Sequence, residues 1–209
     1  MSQPDTGTRT ARPEGHVRLR RFAALAVPAT VAGAALVVLT AQGVLAAQFS
    51  ISGMPFTVTA DQLSGNGLEQ YGGIDNVAAG SPNLQDTNGQ ELVFVSAIHQ
   101  AELTNLCQSV SIGFTNLVIR AGQGSSKVEA TNLVVDSDQL TGDASFTNMS
   151  IDQDASTLTE VPGVTGPLGT FGQQADTVNI KNLRQENWAT TASSFTLPGL
   201  SIGFSDNGC

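Results

Sequence analysis

The feature that most limits what this chain can fold into is a short motif repeated at a fixed interval. Phe114-Thr115-Asn116-Leu117, Ala130-Thr131-Asn132-Leu133 and Phe146-Thr147-Asn148-Met149 are spaced 131 − 115 = 16 and 147 − 131 = 16 residues apart. Each Asn opens an apolar pair in alternation: Leu117 and Ile119, Leu133 and Val135, Met149 and Ile151. Alternation with β-branched side chains is the period of a half-buried strand, not of a helix. A constant interval between such strands points to stacked coils, each burying one face against the next. The predicted fold is therefore all-β, a β-solenoid-like stack of short strands with those six residues inward. The alternative is an antiparallel β-sandwich. It is favoured by Gly122-Gln123-Gly124-Ser125-Ser126, a hairpin turn between segments 118–121 and 127–130.

The rest of the body fits the same class. Segment 48–59 alternates and is broken at Gly53-Met54-Pro55. Asp61-Gln62-Leu63-Ser64-Gly65 is nearly copied by Asp138-Gln139-Leu140-Thr141-Gly142, as coils on one template would require. Segments 72–90 and 162–172 are loops, dense in Gly, Pro and Asn. No stretch after residue 47 has sustained helical periodicity. Asn recurs before the apolar pair at Asn105, Asn116, Asn132, Asn148 and Asn182. Asn suits turns and unusual backbone angles; stacked amides bonding coil to coil are the other reading.

Charge separates the chain into two parts. Residues 1–46 hold Arg9, Arg12, Arg18, Arg20 and Arg21 against Asp5 and Glu14, a net of +3. The remainder holds four basic residues against sixteen acids, a net of −12, and the two sum to −9. Such a body repels nucleic acid, which we exclude as a partner. In the first part, basic residues are followed by an uncharged apolar run, Phe22 to Ala47, ending in Val44-Leu45-Ala46-Ala47. That is the order of a secretory signal. Domain organisation is then 1–46 as signal peptide, or as an uncleaved anchor, and 47–209 as a single all-β domain. The expected location is secreted, or the extracellular face of the cell membrane.

Several stretches carry a family resemblance: Leu103-Thr104-Asn105-Leu106-Cys107-Gln108-Ser109, Asp138-Gln139-Leu140, Gln173-Gln174-Ala175-Asp176 and Trp188-Ala189-Thr190-Thr191-Ala192. By these the chain resembles a secreted actinobacterial family of unknown function whose members are often labelled cholesterol esterase. The resemblance implies ester hydrolysis only through that label, and it brings no catalytic residues with it.

The residues argue against the label. A serine esterase needs a nucleophile, an imidazole base and an orienting acid. No G-x-S-x-G occurs, and His99 is the only histidine of the body. His99 reads first as an exposed strand residue. No catalytic residue is assigned, and no cofactor is implied. Asp136-Ser137-Asp138 and Asp152-Gln153-Asp154 resemble calcium loops and lie 16 apart, but Leu140 breaks the EF-hand pattern. They read first as solvated turn acids. Trp188 and Tyr71 are the lone large polar aromatics, candidates for a lipid or glycan pocket or for plain packing.

Cys107 and Cys209 are an even count in an exported body, where pairing is the default. Ser111-Ile112-Gly113-Phe114 recurs as Ser201-Ile202-Gly203-Phe204. Antiparallel pairing with Ser111 opposite Phe204 places Cys107 opposite position 208, within disulfide reach of Cys209. A free Cys107 and an interchain bond through Cys209 are the alternatives. The function read from all this is a structural or interaction role at the cell envelope or surface. An envelope membrane protein or a second copy is the partner. A lipid or sterol ester hydrolase and a lipid- or glycan-binding module are the rival classes.

Overall fold

The computed structural model describes residues 50–209 apart from 87; the expected signal or anchor lies outside that range. The described residues form nine strands: β1 (Phe56–Asn76), β2 (Gln90–Thr104), β3 (Leu106–Ser111), β4 (Asn116–Ala121), β5 (Val128–Thr147), β6 (Ser150–Asp154), β7 (Phe171–Thr191), β8 (Ser194–Thr196) and β9 (Ser201–Ser205). All nine belong to one sheet, and every strand pair in it is antiparallel. Among the described residues no helix is long and apolar enough to cross a membrane.

The all-β reading holds, and its finer form changes. The strands are long, up to 21 residues, and pair antiparallel in one sheet rather than stacking as short coils. Two of the three repeats belong to the single strand β5: Thr131-Asn132 lies inside it, and Thr147 is its last residue with Asn148 just past it. Segments 118–121 and 127–130 do not pair with each other; β4 lies between β3 and β9 instead.

The sheet closes on itself. β1 bonds β2, β2 bonds β5, β5 bonds β7, and β7 returns to β1. The circuit is strongly staggered. From Glu69 it runs through Ala97 and Val134 to Thr191, whereas Glu69 also pairs directly with Gln174, an advance of 191 − 174 = 17 residues. Few strands with large stagger must coil steeply, and long strands must bend to do so.

Asparagine supplies the bends. Asn105 (φ 51), Asn132 (φ 47), Asn148 (φ 51) and Asn182 (φ 53) all sit in the left-handed region inside or between strands. A short amide side chain bonded locally makes that region accessible to Asn where a bulkier residue pays a steric cost. Each amide is held by a neighbouring strand. Asn148 Nδ2 donates to Asp176 Oδ2 at 2.6 Å and Asn182 Nδ2 to Asp143 Oδ2 at 3.0 Å. Asn105 Nδ2 donates to the Asp61 carboxylate. The amides thus form separate cross-strand pairs, not a ladder. Asn116 is the exception; it has no left-handed angle, and its amide donates to the Ser205 and Asp206 carbonyls.

The core fills the closed circuit. Leu63, Leu68, Ile98, Leu133, Val135, Val178, Ile180 and Leu183 are each at most 7% exposed and form one cluster. Gly65 permits the close approach, since a Cβ there would lie 2.5 Å from Ile98 Cγ2. Of the six residues expected inward, Leu133 and Val135 are in the core and Met149 packs against it. Leu117 and Ile119 are half-buried, and Ile151 is 61% exposed. Ile151 lies on β6, an edge strand bonded only to β7.

β3 prolongs β2 past the bend at Asn105, and with β4 and β9 it forms a wing joined to the first residues of β1. Past β9 the chain turns back over β3, and Cys209 N donates to Ser109 Oγ at 2.8 Å. Cys107 and Cys209 are joined, with Cα atoms 5.9 Å apart. The bond expected from the sequence is present, by another route. β9 pairs with β4, Leu117 opposite Phe204, rather than with Ser111-Phe114. The C-terminal tail, not strand register, brings Cys209 to Cys107.

Candidate interaction surface

The wing presents an apolar outer row. Residues directly opposite across a sheet share a face. Val110 faces Leu117, Leu117 faces Phe204, and Ile119 faces Ile202, so these five point the same way. Across the wing the burial falls outward: Val110, Leu117 and Ile119 are half-buried, while Ile202 is 59% and Phe204 72% exposed. The other face of the wing is covered. There Ser109 and Val118 are buried, and the tail lies on them through Cys209 and Asn116. The hairpin tip adds Phe114, 89% exposed, beside the end of β9, where Thr115 Oγ1 donates to the Ser205 carbonyl at 3.1 Å.

No charged residue occurs in Ser111–Ile119 or in Ala189–Ser205, although the body carries a net of −12. Isolated exposed apolar residues are ordinary, but a contiguous row of them at an uncharged edge marks a contact surface. A second exposed set, Ile151, Leu168 and Phe171, lies at the opposite edge and is interrupted by Asp152 and Asp154.

The residues proposed for chemistry do not meet. His99 Nδ1 is 2.8 Å from Asn132 Oδ1, and Asn132 Nδ2 donates to Ser193 Oγ at 3.3 Å. The imidazole occupies the place that Asp61, Asp143 and Asp176 hold beside the other bends. It steadies the β5 bend, and no serine hydroxyl bonds it among the described residues. Asp136 and Asp138 lie near the last residues of β7, since Asp136 pairs with Ala189. Asp154 pairs with Phe171, the first. The four carboxylates therefore lie at opposite ends of one strand and do not form an aligned edge.

Each acid has a local role or cost. Asp154 caps a short 3-10 turn, accepting from Ser156 N at 3.0 Å, Ser156 Oγ at 2.7 Å and Gly169 N at 2.8 Å. Its bonds with the Ser156 side chain and backbone hold its pKa below the usual range. Asp138 accepts from Trp188 Nε1 at 3.3 Å, which fixes the half-buried indole at the rim of an open depression with Phe56 and Phe195. Asp152 sits in the left-handed region at a bulge of β6. Asp136 is half-buried; burial, and then the neighbouring Asp75, push its pKa up to about 7.

Sequence reading missed the buried polar groups. Glu69 is fully buried, with Oε1 accepting from Val161 N at 2.7 Å and Oε2 unpartnered. Burial raises its pKa. Tyr71 packs beneath the same loop, and burial pushes its phenol up to about 12. Gln70 accepts from Gln173 Nε2 and donates to Ser96 Oγ, both at 2.8 Å, at the edge of an apolar cavity in the core, about 80 Å³ in volume. Nothing in the alternation of β1 distinguishes Glu69 from an exposed acid.

The comparisons agree with an uncharacterised family. Residues 52–209, nearly all of the described body, match the model of a family of unknown function, DUF6230. The chain belongs to that family. No curated protein and no solved structure matches it. The esterase label and the actinobacterial origin have no support in these comparisons, and the DUF6230 match itself carries no activity.

Proposed function

We propose that this DUF6230 protein is a non-enzymatic interaction protein exported to the cell envelope or surface, and that it works through the wing. The observation that carries the reading is the uncharged apolar row Leu117–Phe204 and Ile119–Ile202, open on one side of an acidic body. Export is supported by the basic, apolar and small-residue order of residues 1–47 and by the Cys107–Cys209 bond, which suits an oxidising compartment. The hydrolase reading has no such support. His99 is engaged by Asn132, the enclosed core cavity of about 80 Å³ is far below the roughly 300–1,000 Å³ of small-molecule sites, and the open depressions of about 520–560 Å³ are lined by no histidine. The same shortfall weighs against a lipid carrier that encloses its ligand.

Two assays test the reading. The purified protein should hydrolyse short and long acyl esters no faster than buffer, and His99→Ala should leave that background unchanged. Phe204→Ser with Phe114→Ser should keep the Cys107–Cys209 bond while lowering retention of the protein by the envelope fraction. Turnover lost on His99→Ala, or retention unaffected by the double substitution, overturns the proposal.

A further inference from the structure

The two ends of the sheet are treated differently. β6 closes one end and is a blunted edge: it is bulged at Asp152 and carries Asp152 and Asp154. Bulges and charges of this kind stop strands from adding to a sheet. β9 closes the other end with Ser201-Ile202-Gly203-Phe204-Ser205, which has no charge, no proline and no bulge, and is exposed over four of its five residues. Its outer side has no strand partner among the described residues.

We infer that β9 pairs antiparallel with β9 of a second copy, about a two-fold axis at Gly203. This rests on the wing being the working surface and names its occupant. The sequence of β9 is its own complement about the glycine. In a two-fold register paired numbers sum to 203 + 203 = 406. Ser201 then faces the partner's Ser205, Ile202 faces the partner's Phe204, and Gly203 faces the partner's Gly203. Aliphatic–aromatic cross-strand pairs are favourable, and a two-fold axis makes the pair twice. Asp206 falls opposite the partner's Leu200 rather than opposite its like, so the acidic bodies bring no charge repulsion into the strand pair.

Area supports the same occupant. Phe114, Phe204, Ile202 and Leu200 are 89%, 72%, 59% and 49% exposed. At the surface of aromatic and large aliphatic side chains this is on the order of 500 Å² per copy and about 1,000 Å² for two, the lower bound of a specific interface. A lipid bilayer is the poorer occupant. An edge strand entering hydrocarbon carries unpaired N–H and C=O groups that lipid cannot satisfy; a strand of a second copy satisfies them.

The test uses the exported protein with its disulfide intact. Sedimentation over a wide concentration range should show a monomer–dimer equilibrium, and Ile202→Lys with Phe204→Lys should raise the dissociation constant by at least about tenfold. Non-reducing mass spectrometry of that variant should still find the Cys107–Cys209 bond, which separates lost pairing from lost folding. Gly203→Cys should give a covalent dimer on mild oxidation, because only this position meets itself; a Cβ there meets no heavy atom within 4 Å, so the monomer accepts it. Ile202→Cys should cross-link far less. Equal cross-linking at both positions, a wild-type monomer at every concentration, or monomers that bind zwitterionic vesicles through the wing would overturn the pairing. A monomer still retained by the envelope through the wing would remove the self-pairing alone and leave the interaction role standing.

Discussion

Asp136→Asn should make the protein more stable at pH 8 and leave it unchanged at pH 4. Asp136 stands on β5 between Val95 of β2 and Ala189 of β7, half-buried, with Asp75 as its nearest acidic influence. Its folded pKa is about 7, against roughly 3.9 in an unfolded chain. The folded value is the higher one. Below the unfolded pKa the group is neutral in both states and costs nothing. As pH rises, the unfolded state loses its proton first, and stability falls until the folded pKa is passed. A gap of about three units at roughly 1.4 kcal/mol each gives about 4 kcal/mol. Partial solvent access screens some of this, so about 2–4 kcal/mol is the expected difference at pH 8. Urea unfolding followed by Trp188, the single tryptophan, reads it directly. The wild-type curve should descend relative to Asp136→Asn between about pH 4 and pH 7 and run parallel to it above. Parallel curves over the whole range, or a variant less stable at pH 8, would refute the burial argument. Asp75→Asn should steepen nothing: it removes the smaller cause, so Asp136 should then titrate at lower pH.

Other substitutions test the frame. Asn132→Ala should cost about 1–2 kcal/mol more than Asn132→Gly, since both lose the His99 contact but only Ala is strained at φ 47; equal unfolding midpoints would remove the bend from the account. Gly65→Val should destabilise by about 1–3 kcal/mol or more, because its Cβ meets Ile98 at 2.5 Å, and a neutral result by thermal unfolding would mean the circuit is looser than described. Cys107→Ser with Cys209→Ser should lower stability by about 2–5 kcal/mol through a closed loop of 102 residues, with the C-terminal tail becoming the first segment cut by protease. Leu133→Asp, placing an unpaired charge in a core site 4% exposed, should prevent accumulation of folded protein, as judged by circular dichroism.

Strand class, the disulfide partners and the main core residues of β5 were legible in the sequence. Alternation with β-branched residues forces strands whatever their partners, two cysteines allow one intramolecular pair, and Leu133 and Val135 repeat with the period of a buried face. The arrangement of those strands was not legible. The interval of 16 between Asn132 and Asn148 records where two Asn bends fall along a steeply coiled strand as readily as it records stacked coils, and only long-range pairing separates the two. The candidate chemistry failed for the same reason. Asp138 and Asp154 share a place in the repeat but stand at opposite ends of β7, and His99 is a bend partner because Asn132 lies across from it. Burial of Glu69 and exposure of Ile202 and Phe204 invert what their side chains suggest. A loop from elsewhere in the chain covers the first, and β9, bonded to β4 on one side, has no strand beyond it among the described residues. Local pattern fixes how each segment meets its own backbone; which side chains meet water is decided by contacts between segments far apart in sequence.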